Sequence, residues 1–134
     1  MLDQMKIFVV EDEPMIQDVL EDALTDAGFA VAVASSGEDA AARLDSEGDQ
    51  FRAMVTDVNF APGKMTGWDV ARHARERRSD LPVIYMTGAA ADQWAQLGVP
   101  GSVLVSKPFI VMQIIIALSG LLNKAGGSGP VAAG

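Results

Sequence analysis

The chain has 134 residues, a formal net charge of −8 and no cysteine. This length is typical of one domain, and the missing cysteines exclude disulfides and thiolate metal sites. The acidic charge argues against nucleic-acid binding, which needs clustered Lys and Arg for phosphate contacts. No stretch is apolar for long enough to cross a bilayer, and the first residues lack a signal-peptide pattern, so we expect a cytoplasmic protein with no membrane contact.

Short apolar runs alternate with helical patterns along the whole chain. Runs rich in β-branched residues predict five strands, over 6–10, 31–34, 54–57, 83–87 and 103–106. Helical periodicity follows each run, over 14–27, 37–48, 67–78, 89–97 and 110–123. Pro14 suits a first helical position, and Gly28 ends the first helix. Strands that alternate with helices and have right-handed crossovers form a parallel sheet covered by helices on both faces, so an α/β fold is predicted.

Four of these strands end on polar residues that suit phosphoryl chemistry. Glu11 and Asp12 follow the first strand, and Asp57 ends the third. Thr87 ends the fourth strand and Lys107 follows the fifth. Ligands of open parallel sheets bind outside the carboxyl ends of the strands, so these side chains are expected to meet in one patch.

The three acidic groups of this patch need a cation between them, because like charges raise each other's pKa. Mg²⁺ fits, since it accepts a few carboxylates together with water and phosphate oxygens. With the charge compensated, Asp57 is the expected nucleophile towards a phosphoryl group, and Glu11 and Asp12 are the expected ion ligands. Lys107 and Thr87 are residue types that bind the equatorial phosphoryl oxygens.

Each of these residues also has an ordinary structural interpretation. The acidic run after the first strand could cap the first helix, and Asp57 could be a turn residue. The joint pattern on four strands of one sheet favours the functional interpretation. The basic cluster at 72–78 is interpreted as compensation of a helix dipole, and the lone His73 is given no catalytic role.

At these residues the chain resembles a response-regulator receiver domain of bacterial two-component signalling. The matching motifs are Val9-Val10-Glu11-Asp12-Glu13-Pro14, Asp57, Gly67, Thr87-Gly88 and Lys107-Pro108-Phe109. The resemblance covers residues 5–123, so we assign residues 1–124 to the domain and residues 125–134 to a flexible Gly- and Ala-rich tail. It implies a flavodoxin-like (βα)5 fold with strand order 2-1-3-4-5.

The resemblance also implies roles for single residues. Asp57 would accept the phosphoryl group from a sensor histidine kinase or a histidine phosphotransfer protein. Asp12 would ligate Mg²⁺ directly, Glu11 through water and Asn59 through its backbone carbonyl. Thr87 would move towards the phosphoryl group and Lys107 would pair with it, and the Lys107-Pro108 bond is expected to be cis.

Two positions depart from the family pattern. The residue three before the lysine is usually Tyr or Phe, which rotates inward when the threonine moves, and here it is Leu104. The usual threonine–aromatic switch is therefore not expected in its ordinary form. The loop from the acceptor to its glycine usually spans about eight residues, whereas the loop from Asp57 to Gly67 spans ten.

Two helices suggest partner surfaces. The last helix is apolar beyond the single stripe that a sheet covers, with Ile110, Met112 and Ile116 off that stripe. This pattern predicts a homodimer through residues 110–122. On the first helix, Met15 lies beside acidic residues where the family docks its kinase: Asp18, Glu21, Asp22 and Asp26.

Three other functions remain open at this stage. A phosphohydrolase of the haloacid-dehalogenase type would need a second carboxylate two residues after Asp57, where Asn59 stands. A receiver-fold scaffold or dimerisation module working without phosphorylation would not need Asp57, Thr87 and Lys107 intact. Flavin binding is disfavoured because acidic strand ends repel the cofactor's phosphate. The favoured interpretation is a stand-alone, non-enzymatic response regulator that signals by protein contacts or onward phosphorelay, because the tail is too short for an output domain.

Overall fold

The computed structural model of the protein describes residues 4–60 and 65–125, with only the backbone of residue 125. The predicted tail and part of the long loop therefore lie outside the described residues. The strands are β1 (Lys6–Val10), β2 (Ala30–Ala34), β3 (Phe51–Asp57), β4 (Val83–Thr87) and β5 (Val103–Ser106). The helices are α1 (Pro14–Asp26), α2 (Gly37–Glu47), α3 (Gly67–Arg77), α4 (Trp94–Leu97) and α5 (Val111–Ala125).

The five strands form one parallel sheet in the order β2-β1-β3-β4-β5, as predicted. The register aligns the carboxyl ends of the strands: Val10 pairs with Thr56, and Asp57 pairs with Met86. Thr87 pairs with Ser106, the residue before Lys107. The alignment therefore brings the predicted site residues to one edge of the sheet.

The sheet separates two apolar cores. One core lies under α2 and α3, where the stacked rings of Phe8 and Phe51 have centroids 4.4 Å apart. The other core lies under α1 and α5 and includes Leu20, Ile114 and Leu118, which are almost completely buried. Each central strand is buried on both faces, and this explains its continuous apolar sequence.

Capping residues set the helix ends close to the predicted positions. Ser36 accepts the amide of Asp39 and starts α2. Thr66 and Asp69 form a capping box that starts α3. After α1, Gly28 has a φ of 99°, a left-handed conformation that glycine adopts without strain.

The fourth helix is shorter than predicted. The pattern over 89–97 predicted one helix, but the structure has a 3₁₀ turn over Ala91–Gln93 followed by the single turn of α4. Neither segment begins with a side-chain cap. Without a cap and with few residues before Gly98, a full helix is not favoured.

The basic residues at the end of α3 make structural contacts. Arg75 and Arg77 donate to the carbonyls of Leu81 and Asp45, both at 2.8 Å, and Arg78 donates to the carbonyl of Phe51. His73 contacts the Asp45 carboxylate at 2.8 Å. These contacts join α3 to α2 and to the loops beside it. Within the described residues, no helix is both long enough and apolar enough to traverse a bilayer.

Candidate functional site

Three carboxylates cluster at the carboxyl edge of the sheet. One oxygen from each of Glu11, Asp12 and Asp57 lies within 4.8 Å of the oxygens from the other two. Glu11 and Asp57 are buried, and Asp12 is partly exposed at the mouth of the cluster. Glu13, the N-cap residue of α1, makes no side-chain capping bond. Three of the predicted site residues thus lie together at this edge of the sheet.

Glu11 is held in an unfavourable environment for a charge. Its Oε2 accepts the amide of Glu13 at 3.1 Å. Burial, and then the charge of Asp57, raise the pKa of the Glu11 carboxyl to about 7. Without a cation, this carboxyl is therefore only partly ionised near neutral pH.

The negative charge of Asp57 is better compensated than that of Glu11. Its Oδ1 accepts the amide of Val58 at 2.8 Å and lies 3.3 Å from the ammonium of Lys107. Burial raises the pKa of the Asp57 carboxyl, and Lys107 opposes that shift. Lys107 also lies 3.7 Å from Oε1 of Glu11, so one ammonium serves two carboxylates. The Lys107-Pro108 bond is cis, as expected from the resemblance.

Thr87 and Asn59 stand apart from the acid cluster's direct contacts. The hydroxyl of Thr87 is buried and accepts the amide of Ala90 at 3.2 Å, which starts the turn after β4. Asn59 is exposed in the bend that follows β3, two residues beyond Asp57. Their roles towards a phosphoryl group and an ion remain predictions.

The donor set fits a hard divalent cation. Oε1 of Glu11 is buried and accepts no hydrogen bond from any described residue, so it keeps lone pairs for a ligand. Three clustered carboxylates need more positive charge than Lys107 supplies. Glu11, Asp12 and Asp57 would hold Mg²⁺, which would supply charge neutralisation for an incoming phosphoryl group.

Sequence reasoning missed the polar contacts around the cluster. The side-chain amide of Gln17 donates to the carbonyl of Glu11 and to the hydroxyl of Ser35, the latter at 3.0 Å. Glu38 accepts the amide of Met65, across 27 positions of sequence, at 3.0 Å. Single polar residues on helices carry no periodic signal, so no sequence pattern indicated these contacts.

Comparisons with known proteins agree with this geometry. The family model for the response regulator receiver domain matches residues 7–119. The transcriptional regulatory protein TcrA of Mycobacterium tuberculosis is 34% identical over 121 residues, which are 89% of this chain and 46% of that protein. TctD of Salmonella typhimurium is 34% identical over 125 residues, covering 92% of this chain and 54% of that protein. The chain thus spans about half the length of these curated relatives.

Solved structures give the same assignment. A response regulator receiver protein from Sinorhizobium medicae superposes with a TM-score of 0.87 and 42% identity, covering 93% of this chain and 99% of that one. The response regulator TrrA of Thermotoga maritima, solved in complex with Mg²⁺ and BeF, gives a TM-score of 0.76 and 26% identity, covering 88% and 99%. With the sheet order, the acid cluster and the family match in agreement, the chain belongs to the response regulator receiver domain family of two-component signalling.

Proposed function

We propose that this receiver accepts a phosphoryl group on Asp57, in a Mg²⁺-dependent reaction, from a histidine kinase or a histidine phosphotransfer protein. The observation that carries the proposal is the position of Asp57 between an ammonium 3.3 Å away and two other carboxylates within 4.8 Å. Lys107 favours the ionised form of Asp57, which is the form that can act as a nucleophile.

In the proposed reaction, a carboxylate oxygen of Asp57 forms a bond to phosphorus as the N–P bond of a phosphohistidine breaks. The electron pair of that bond returns to the imidazole nitrogen of the donor. Lys107 would then move its contact from the carboxylate towards the phosphoryl oxygens. The hydroxyl of Thr87, which accepts the Ala90 amide in this structure, would leave that amide and donate its proton to one of those oxygens. In this proposal Asp12 and Glu11 hold the ion, with Asn59 adding its carbonyl.

An apolar groove beside the site is suited to the phosphodonor. It has a volume of about 510 Å³ and lies between α1 and the β5–α5 loop: Met15, Ile16, Val19, Lys107, Pro108, Phe109 and Val111 line it. Met15 is 77% exposed and Val19 is 48% exposed. Exposed acids lie on the same helix: Asp18, Glu21, Asp22 and Asp26. We propose that the donor docks here with an apolar helix face flanked by Lys or Arg. The apolar face would fill the groove, and the basic residues would lie beside the acids of α1.

We further propose that output passes through the receiver's own surfaces, by protein contacts or by onward phosphorelay. The support is a set of exposed apolar residues on α5 and just before it: Ile110, Met112 and Ile116 are all more than half exposed. Exposed apolar groups that are close together are typical of interaction sites.

Phosphorylation with a small donor tests the acceptor. Wild-type protein incubated with acetyl phosphate and Mg²⁺ should gain the mass of one phosphoryl group, because the cation compensates the acid cluster. Asp57→Asn should gain none, whereas Asp49→Asn, a control near the other end of β3, should react as the wild type does. Phosphorylation of Asp57→Asn at the wild-type rate, or full activity after chelation of Mg²⁺, would contradict the proposal.

The docking surface has its own test. Val19→Glu should slow transfer from a phosphorylated histidine donor protein by about tenfold or more, because it places a charge in the apolar groove. Transfer from acetyl phosphate should not change. Equal slowing with both donors would show damage to the site rather than to docking.

A further inference from the structure

The end of β2 and the corner that follows it, residues 34–38, contact both the segment after β1 and the end of the loop after β3. On one side, the amide of Glu11 donates to the carbonyl of Ala34 at 3.0 Å, and Gln17 links Glu11 to Ser35. On the other side, Glu38 accepts the amide of Met65 at 3.0 Å. The corner therefore contacts the returning end of the loop that begins at Asp57.

Two peptide units and one backbone contact connect Met65 to the backbone of Asp57. Thr66 follows Met65 as the N-cap of α3, and Gly67 follows Thr66. The amide of Gly67 donates to the carbonyl of Val58 at 2.7 Å. A Cβ at Gly67 would lie only 2.0 Å from the carbonyl oxygen of Asp57, so these backbones are in direct contact. The returning end of the loop is therefore packed against the backbone that carries Asp57.

The contact between the corner and Met65 is also tight. Gly37 is buried, and a Cβ there would lie 2.7 Å from the Cβ of Met65 and 2.9 Å from its carbonyl oxygen. A side chain at position 37 would thus push Met65 away from α2. Because the loop is two residues longer than usual in the family, more freedom must be removed to hold its end.

We infer that Glu38 and Gly37 position the phospho-acceptor. Glu38 holds the Met65 amide, Gly37 allows the close approach, and both act on Asp57 through Gly67. Glu38 is a positioning residue, since it acts through Met65 and not on the reacting atoms. This inference rests on the proposed phosphoryl transfer to Asp57. It predicts an effect on the rate of the chemical step and none on donor binding.

Three variants separate the hydrogen bond from the charge. Glu38→Ala removes the acceptor, Glu38→Gln keeps a neutral acceptor, and Asp39→Ala removes the neighbouring exposed carboxylate of the same helical turn. Single-turnover phosphorylation by acetyl phosphate at saturating Mg²⁺ should be slowed about three- to tenfold in Glu38→Ala. The donor concentration for half-maximal rate should not change. Glu38→Gln and Asp39→Ala should stay within about twofold of the wild-type rate, and all three variants should remain folded and unfold in one cooperative urea transition.

A Glu38→Ala rate within about twofold of wild type would overturn the inference, and so would a Glu38→Gln rate as slow as that of Glu38→Ala. Gly37→Ala should slow the same step through displacement of Met65. If the wild type accepts no phosphoryl group, the proposed function fails, and amide hydrogen exchange then tests the contact itself. The Met65 amide should exchange faster in Glu38→Ala than in wild type and in Glu38→Gln, and equal exchange in all three would overturn the inference.

Discussion

Glu11 and Asp57 are both buried carboxylates, with exposed fractions of 1% and 5%, yet they have different partners. Asp57 has an amide at 2.8 Å and an ammonium at 3.3 Å. Glu11 has one amide, and its second oxygen lies 3.7 Å from that same ammonium. Most of the electrostatic cost of the cation-free site is therefore expected at Glu11, while the nucleophile is kept available.

This difference predicts an unusual pH dependence of stability. The folded protein holds the Glu11 proton up to about pH 7, whereas the unfolded chain releases it near the ordinary glutamate pKa of 4.5. Between these values the folded state binds more protons, so the free energy of unfolding should fall as pH rises and then level off above about pH 7. From the size of the shift, the fall is on the order of 1–3 kcal/mol. Urea unfolding of the Mg²⁺-free protein between pH 5.5 and 8 measures it.

Two controls isolate Glu11. Glu11→Gln should flatten the profile, because it removes the carboxyl whose pKa is raised by burial. Saturating Mg²⁺ should raise the unfolding free energy most at the alkaline end, because only the ionised carboxyl binds the cation well. A Mg²⁺-free wild type whose stability rises with pH over this range would contradict the assignment of a raised pKa.

β5 lacks the aromatic residue that is usual in the family, and the neighbouring strand β4 contains Tyr85. Leu104 on β5 packs against the core under α2 and α3. Tyr85 on β4 is fully buried, its hydroxyl accepts the amide of Val99 at 3.1 Å, and its ring lies 4.6 Å from that of Trp68. Rotation of Tyr85 would leave the Val99 amide without this partner and open a cavity.

We therefore expect activation to move Thr87 and the turn after it while Tyr85 stays in place. The 3₁₀ turn and α4 that follow are short and uncapped, so they can rearrange at low cost. Structures with and without Mg²⁺ and beryllofluoride measure this: Thr87 should leave the Ala90 amide, and the Tyr85 rotamer should not change. A large Tyr85 rotation coupled to Thr87 would show that an aromatic switch persists at a different position.

The sequence predicted these elements unevenly, for physical reasons. The strand order and the site edge follow from the alternation of strands and helices and from polar strand ends such as Asp57 and Lys107. The predicted length of the fourth helix was wrong, because the pattern over 89–97 contains no capping residue that would mark where the helix starts. The contact between Glu38 and Met65 joins residues far apart in sequence and depends on the loop's path, which local pattern does not encode.

The acidic charge of the molecule and the exposed apolar residues of α5 are segregated on different helices. The net charge is −8, and four acids lie on the exposed side of α1. Along the 15 residues of α5 the only charged residue is Lys124. Ile114 and Leu118 face the core, while Met112 and Ile116 are 54% and 65% exposed. The exposed side of α5 thus carries these two apolar residues among uncharged polar ones and Lys124, with none of the acidic charge that would repel a second copy.

This segregation supports the proposed homodimer through residues 110–122. A groove of about 600 Å³ runs between β5 and α5 beside Ile116, and it extends the exposed apolar surface onto the sheet edge. The same patch can face itself about a two-fold axis, which is the commonest arrangement of such contacts. Burial of each exposed apolar side chain would contribute about 1.5–3 kcal/mol, set against the entropy of association.

Sedimentation tests the dimer directly. Wild-type protein should self-associate at high micromolar concentration, and more strongly at higher salt, because salt screens the repulsion between two acidic chains. Met112→Glu combined with Ile116→Glu should give a folded monomer, since Ile114 and Leu118 still fill the core. Asn123→Glu, an exposed substitution at the other end of α5, is the matched control for added charge. A wild-type protein that stays monomeric with and without beryllofluoride would contradict the proposed dimer. A double variant that unfolds would show that Met112 and Ile116 stabilise the core instead.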